Sequence, residues 1–270
     1  VSTILNAILD PVFIRLFGFH GAAIATLLSQ ALCLLFMLIY LKKKNLFVFK
    51  LSAFDKKEIL PLFQKAIPSV IQQSIPAIST TFLTALVSTY SVTAIAAYGV
   101  TGKLETILFY PAMALNMVLT TIIGQCVGGA RYDRAKDYLK CALGYGYGLL
   151  VLLSALVIGF SKQLSGLFIK SADVAAIVGT YFLIVSIGYI LNTVTNCYLG
   201  ALNGMGKPSQ SMFLMIFYYI VVRMPLAYLL SHSGFGLNGI WVAVLISHVV
   251  ASNAAYISGT VSFKRRTSTT

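Results

Sequence analysis

Charge is what this chain has least of. Charged residues occupy 10% of its 270 positions, with only seven Asp and Glu, against about 25% in an ordinary soluble domain. Hydrophobic residues occupy 58%, so the chain reads as an integral membrane protein. Paired metal-site and redox spacings are missing too: Cys33, Cys126, Cys141 and Cys197 lie singly in or beside apolar stretches, and His20, His232 and His248 are scattered. Buried structural thiols are expected, with no metal centre, no cofactor and no catalytic set, hence no enzyme. Nor does any stretch alternate with period two over the roughly ten residues of a membrane barrel strand. The expected fold is therefore all-α, a polytopic helix bundle.

Long apolar runs are what is present. They fall at 22–41, 67–90, 107–127, 139–160, 174–202, 212–230 and 239–261, with a partial run at 2–17, each full run near the ~20 residues that a spanning helix needs. The net charge of +13 is concentrated between alternate runs: Lys42, Lys43, Lys44, Lys50, Lys56, Lys57 and Lys65, then Arg131, Arg134, Lys136 and Lys140, then Lys207, then Lys264, Arg265 and Arg266. Basic loops stay cytoplasmic, which predicts a plasma-membrane protein with its C-terminus inside. These residues form no groove with stacking aromatics, which argues against nucleic acid as a partner; the bilayer and a small organic molecule are the expected partners.

Asp10 lies inside the run at 2–17, with Asn6 one helical turn before it and Pro11 directly after it. A lone acid in lipid is costly and normally faces a cavity, although Asp before Pro is also a common turn or cap. A repeat frames it. Gly18, Gly21, Ala25, Leu28, Ser29 and Gln30 match Gly236, Gly239, Ala243, Ile246, Ser247 and His248 at a constant offset of 218 residues. Both copies read as a glycine turn before an inward-running helix, which predicts parallel repeats about an axis along the membrane normal. Val1 opens within a helix, without an initiator Met or signal pattern, so the expectation is a truncated chain lacking most of its first repeat.

Four stretches carry a family likeness: Asn6-Ala-Ile-Leu-Asp10-Pro11, Gly21-Ala-Ala-Ile-Ala-Thr26, Gly124-Gln-Cys-Val-Gly128-Gly129-Ala130-Arg131 and Leu202-Asn203-Gly204-Met-Gly206-Lys207-Pro208. In this order the chain resembles the multidrug and toxic compound extrusion (MATE) family, from that family's fifth helix to its twelfth. The resemblance implies a two-lobed, cation-coupled exporter of organic, often cationic, compounds working by alternating access, monomeric at full length. It implies the last two N-lobe helices at 1–45, a cytoplasmic linker at 46–65, a six-helix C-lobe at 66–262 and a cytoplasmic tail at 263–270. In one branch of the family a coupling site uses Asn, Asp and Thr where this chain has Asn6, Asp10 and Thr26, with a further Asp on the first helix. In another branch the acids are on the seventh and tenth helices, where Pro76 and Asn192 stand here, so a C-lobe site of that kind is in doubt. Asn6 and Asp10 share a helical face, and an oxygen-rich set suits Na+. A buried carboxyl could equally exchange a proton for an exported cation, and the choice between H+ and Na+ stays open.

The C-lobe offers its own polar faces for a substrate cavity: Gln73, Thr80 and Thr84, continued by Ser88; Glu105 and Asn116, with Glu105 near the outer end of its helix; Asn192 and Asn196; and Tyr219. Hydrogen bonding between membrane helices is the competing role for the neutral residues. Arg223 is expected to pair with a carboxylate or carbonyls at a bundle interface. Phe109, Tyr110, Tyr218 and Tyr219 could present cation-π surface or act as packing. The alternatives to an exporter are a lipid-linked oligosaccharide flippase, whose anionic cargo demands several basic cavity residues, and a nonfunctional truncated membrane protein.

Overall fold

The computed structural model describes residues 2–44 and 56–267, with side chains described over 2–44 and 59–264. Its helices are α1 (Ser2–Phe17), α2 (Phe19–Lys43), α3 (Lys56–Ser88), α4 (Val92–Gly128), α5 (Tyr132–Gly166), α6 (Ala172–Gly204), α7 (Pro208–Ile216), α8 (Met224–His232) and α9 (Gly236–Thr267), with a π-helical segment, Phe217–Arg223, joining α7 to α8. Among the described residues there is no strand, and seven spans are long and apolar enough to cross a membrane. The seven are α2, most of α3, α4, α5, α6, the continuous α7–π–α8 helix, and most of α9. The fold is that of an all-α, multi-pass membrane protein. The linker expected from residue 46 lies outside the described residues as far as residue 55, and the tail does so from residue 268. Residues 56–65 and 263–267 are helical.

The apolar run expected at 107–127 begins fifteen residues earlier, at Val92. Thr101, Lys103 and Glu105 lower the hydropathy within a continuous helix, whose start is capped by the Ser91 hydroxyl accepting from the Ala94 amide at 3.0 Å. Glu105 is therefore about 20 Å into α4 at 1.5 Å per residue, well inside the span and away from its outer end. The cysteines also differ from expectation. Only Cys197 is buried; Cys33 and Cys126 are half-buried and Cys141 is exposed, as apolar side chains can be when lipid is the solvent.

The chain divides into two compact units, residues 1–58 and 59–270. In the first, α1 packs on α2. The repeat is visible in the backbone of each unit: Gly18 and Gly236 both take positive φ, 59° and 51°, and Ala25, Ser29, Ala243 and Ser247 are all buried. A Cβ on Gly21 would stand 2.0 Å from the Phe13 carbonyl oxygen, and one on Gly239 would stand 2.4 Å from that of Leu230. Ser29 and Ser247 donate to the carbonyl three residues back, at 2.9 and 2.6 Å. Each copy is thus one device, a left-handed glycine turn followed by close helix contact.

The second unit is centred on α6, which packs on α4, α5 and α9. Its core gathers Trp241, Tyr181, Phe182 and Tyr189, all fully buried. Trp241 stacks on Tyr98 at 5.6 Å and meets Tyr181 edge-on at 4.8 Å. Close packing replaces hydrophobic drive between helices in lipid, and small residues permit it. Gly200 and Gly204 supply a G-x-x-x-G seam on α6: a Cβ on Gly200 would stand 2.5 Å from the Asn116 carbonyl oxygen, and one on Gly204 would stand 2.8 Å from that of Thr120. Asn116 also donates to Asn196 Oδ1 at 3.4 Å and Thr120 to the Gly200 carbonyl at 3.3 Å. Gly200→Ala is accordingly expected to cost about 1–3 kcal/mol by overpacking and to lower thermal stability in detergent. Gly148→Ala, with nothing within 4 Å of the new Cβ, is the contrast; equal melting of the two variants would contradict the seam.

Candidate functional site

Two clusters draw together polar residues singled out in the sequence, one in each unit. In the first, α1 runs unbroken past Asp10 and Pro11, so Asp10 is a mid-helix residue and not a cap. The Asn6 side-chain amide donates to Asp10 Oδ1 at 3.1 Å and to Thr26 Oγ1 at 3.3 Å. Thr26 in turn donates to the Ala22 carbonyl at 2.9 Å. The i, i+4 spacing on α1 and the packing of α2 explain why three residues drawn from two helices meet. Their side-chain oxygens form a small hard-donor set.

The second is a cavity of about 420 Å³ within the second unit, inside the usual range of roughly 300–1,000 Å³ for small-molecule pockets. Gln73 and Thr80 of α3, Glu105 and Asn116 of α4, Asn192 and Asn196 of α6, and Tyr219 of the π segment all line it. Thr84 is not among the lining residues; its hydroxyl bonds back to the Thr80 carbonyl at 2.8 Å, the usual satisfaction of a threonine in a membrane helix. At this last turn α3 presents Leu83, and not Thr84, to the cavity.

Apolar lining comes from Phe109, Met113, Met117, Leu199, Met215 and Val244. Phe109 meets Tyr189 edge-on at 5.5 Å, whereas Tyr110 is exposed and does not line the cavity. Glu105 Oε1 accepts hydrogen bonds from both Tyr181 and Tyr189. These tyrosines, eight residues apart on α6, put their hydroxyls on one face. The carboxylate is thereby fixed in an otherwise aromatic and thioether-rich wall. Lys103 is exposed and is not part of it.

Arg223 also lines this cavity, and its partners differ from the carboxylate or carbonyls expected. Nε donates to Ser247 at 2.9 Å, Nη2 donates to Tyr218 and lies 3.3 Å from His248 Nε2, and the guanidinium carbon is 4.7 and 4.6 Å from the ring centroids of Tyr218 and Tyr219. The reason is local. Pro225 cannot donate to the carbonyl of Val221 and crowds it, and the chain relieves this by widening into the π segment that ends at Arg223. That change of pitch turns Tyr218, Tyr219 and Arg223 toward one another. Gln72, Tyr98, Tyr181 and Thr195 are further polar wall residues that the sequence did not single out, and His248, known there only from the repeat, joins them. A proline two residues after an intramembrane arginine was the available signal for the arginine node.

A family model described as MatE matches residues 68–229. The probable multidrug resistance protein NorM of Pasteurella multocida (strain Pm70) is 30% identical over 158 residues, 57% of this chain and 34% of that protein. The probable multidrug resistance protein YpnP of Bacillus subtilis (strain 168) is 26% identical over 95% of this chain and 58% of that protein. Among solved structures, the Vibrio cholerae MATE transporter VcmN in its bent form superposes with a TM-score of 0.89 at 22% identity, over 98% of this chain and 61% of that one. At that identity the likeness is one of fold. The chain spans about a third to six-tenths of the length of these proteins.

Proposed function

The chain belongs to the MatE family, and on that premise we propose that it works as a cation-coupled antiporter that exports organic cations across the plasma membrane. One observation carries this reading: Glu105, held by two tyrosine hydroxyls, stands in the wall of an aromatic, methionine-lined cavity of drug size. A carboxylate supplies charge for an organic cation, and the rings and thioethers supply a surface that adapts to different shapes. Relatives whose names read multidrug resistance support the substrate class.

Coupling is assigned to Asn6, Asp10 and Thr26, where H+ or Na+ would bind in exchange for the exported compound. The positive loops support a cytoplasmic C-terminus. Among the lining residues Arg223 is the only Lys or Arg, which disfavours an anionic lipid-linked oligosaccharide as cargo.

Expression of the complete gene in an efflux-deficient host is expected to lower ethidium accumulation below that of the empty vector. Accumulation equal to the vector across a panel of organic cations would overturn the reading, and would favour a nonfunctional membrane protein.

A further inference from the structure

The cavity has two polar levels along α4 and α6. At the first, Tyr181 and Tyr189 of α6 meet Glu105 of α4. At the second, the Asn116 amide of α4 donates to Asn196 Oδ1 of α6 at 3.4 Å, with Asn192 one turn before Asn196. Asn116 follows Glu105 by eleven residues, a rise of about 16 Å on nearly the same helical face. Gln72 of α3 belongs to the second level as well. The turn at 89–91 sends α4 back along α3, and Leu83 packs in one cluster with Leu104 and Tyr181. Gln72, eleven residues before Leu83, therefore lies about 16 Å along α3 from the first level.

Two amides at the second level have no partner. Asn192 and Gln72 line the cavity and are only 3% and 6% exposed. Among the described residues neither side-chain amide takes part in a hydrogen bond; Asn192 enters one only through its backbone carbonyl, which accepts from Asn196 at 3.0 Å. Their polar atoms are not among those sealed within the interior. The neighbours are satisfied, Asn196 by Asn116 and Thr195 by the Leu191 carbonyl at 3.3 Å. A primary amide carries two donors and an acceptor oxygen, and burying it without partners is costly. Membrane helices ordinarily pair such groups with one another; the space that both of these residues border is the cavity. Glu105 and Arg223 are the only Asp, Glu, Lys or Arg in its wall, and neither is hydrogen-bonded to these amides.

We propose that Gln72 and Asn192, flanked by Asn116 and Asn196, form a neutral hydrogen-bonding subsite that takes an uncharged polar group of the exported compound, a carboxamide, carbonyl or hydroxyl, at the end of the cavity away from Glu105. This rests on the exporter reading of the cavity and narrows its preferred substrates to elongated cations with a neutral polar group at the far end. An amide both donates and accepts, so it matches any of these groups without adding charge.

Two alkyltriphenylphosphonium cations of equal chain length, one ending in a carboxamide and the other in a methyl group, isolate the subsite. The chain is chosen to cover the roughly 16 Å between the two levels. Each cation is titrated against ethidium bound to the full-length protein in nanodiscs, followed by fluorescence anisotropy, and the ratio of the two affinities is compared between wild type and variant, which cancels their different partition into lipid. Asn192→Leu and, separately, Gln72→Met are close in shape to the native residues and remove no hydrogen bond, so each variant melts at or above the wild-type temperature. Each weakens the carboxamide by roughly three- to tenfold and leaves the methyl-ended cation within about twofold. An unchanged ratio in both variants overturns the proposal and leaves the amides to water, with the exporter reading intact. Loss of folding in both variants makes the amides packing residues and overturns it as well; where one variant folds, its ratio decides. Failure of the wild type to bind ethidium and both phosphonium cations overturns the exporter reading together with the proposal.

Discussion

Glu105→Gln is expected to abolish efflux of simple organic cations while leaving the protein folded and in the membrane. The amide is isosteric and still accepts at its carbonyl oxygen from Tyr181 and Tyr189, so the α4–α6 contact persists. What is lost is charge at the one acid that lines the cavity. A hydrogen bond or ion pair to a charged group is worth about 1.5–3 kcal/mol, which corresponds to roughly ten- to more than a hundredfold in affinity. Tyr189→Phe should give a smaller loss in the same direction, because Tyr181 still holds the carboxylate. Ethidium efflux by inverted or whole-cell assay reads both, with membrane abundance measured alongside. Wild-type efflux in Glu105→Gln would remove the carboxylate from substrate recognition.

Asp10→Asn is expected to uncouple transport. The Asn6 amide can still donate to the new side chain's oxygen, so the arrangement around Thr26 survives, but the carboxylate proposed to exchange a proton or bind Na+ is replaced by a neutral amide. Coupling free energies between sites are about 1–3 kcal/mol, roughly 5–150-fold in affinity, and the stimulation of efflux by an imposed ion gradient should fall by a factor in that range. Asp10→Ala should behave alike, with added loss from the vacated hydrogen bond. Dye binding to the cavity in the absence of a gradient should change much less. Near-normal gradient-driven efflux in both variants would rule Asp10 out as the coupling acid.

The helical fold was legible because lipid leaves hydropathy as a nearly sufficient signal: every expected run falls on a described helical span, with only the run at 67–90 passing the end of α3 by two residues, and Gly18 and Gly236 both take positive φ. Its failure at 92–106 has a physical cause. A sliding apolar run cannot see that Glu105 is met by tyrosines eighty residues away, and so reads a span as a loop. The polar positions Gln73 and Thr80 on α3, Asn116 on α4 and Asn196 on α6 were legible from the spacing within each helix. The arginine node was not, since it depends on the pitch change before Pro225 and on His248, a residue whose counterpart in the first copy of the repeat is the exposed Gln30. The grouping of Asn6, Asp10 and Thr26 was anticipated by family resemblance, with helical spacing bringing together only the first two.

The central claim is that organic cations occupy the cavity lined by Glu105. Photolabelling the purified full-length protein with ethidium monoazide, followed by peptide mass spectrometry, tests it most directly. Adducts on Met113, Met117, Met215 or the tyrosines of the π segment, suppressed by excess ethidium and lost in Glu105→Gln, are the result expected. Competable adducts confined to segments outside the cavity, unchanged in Glu105→Gln, would contradict it.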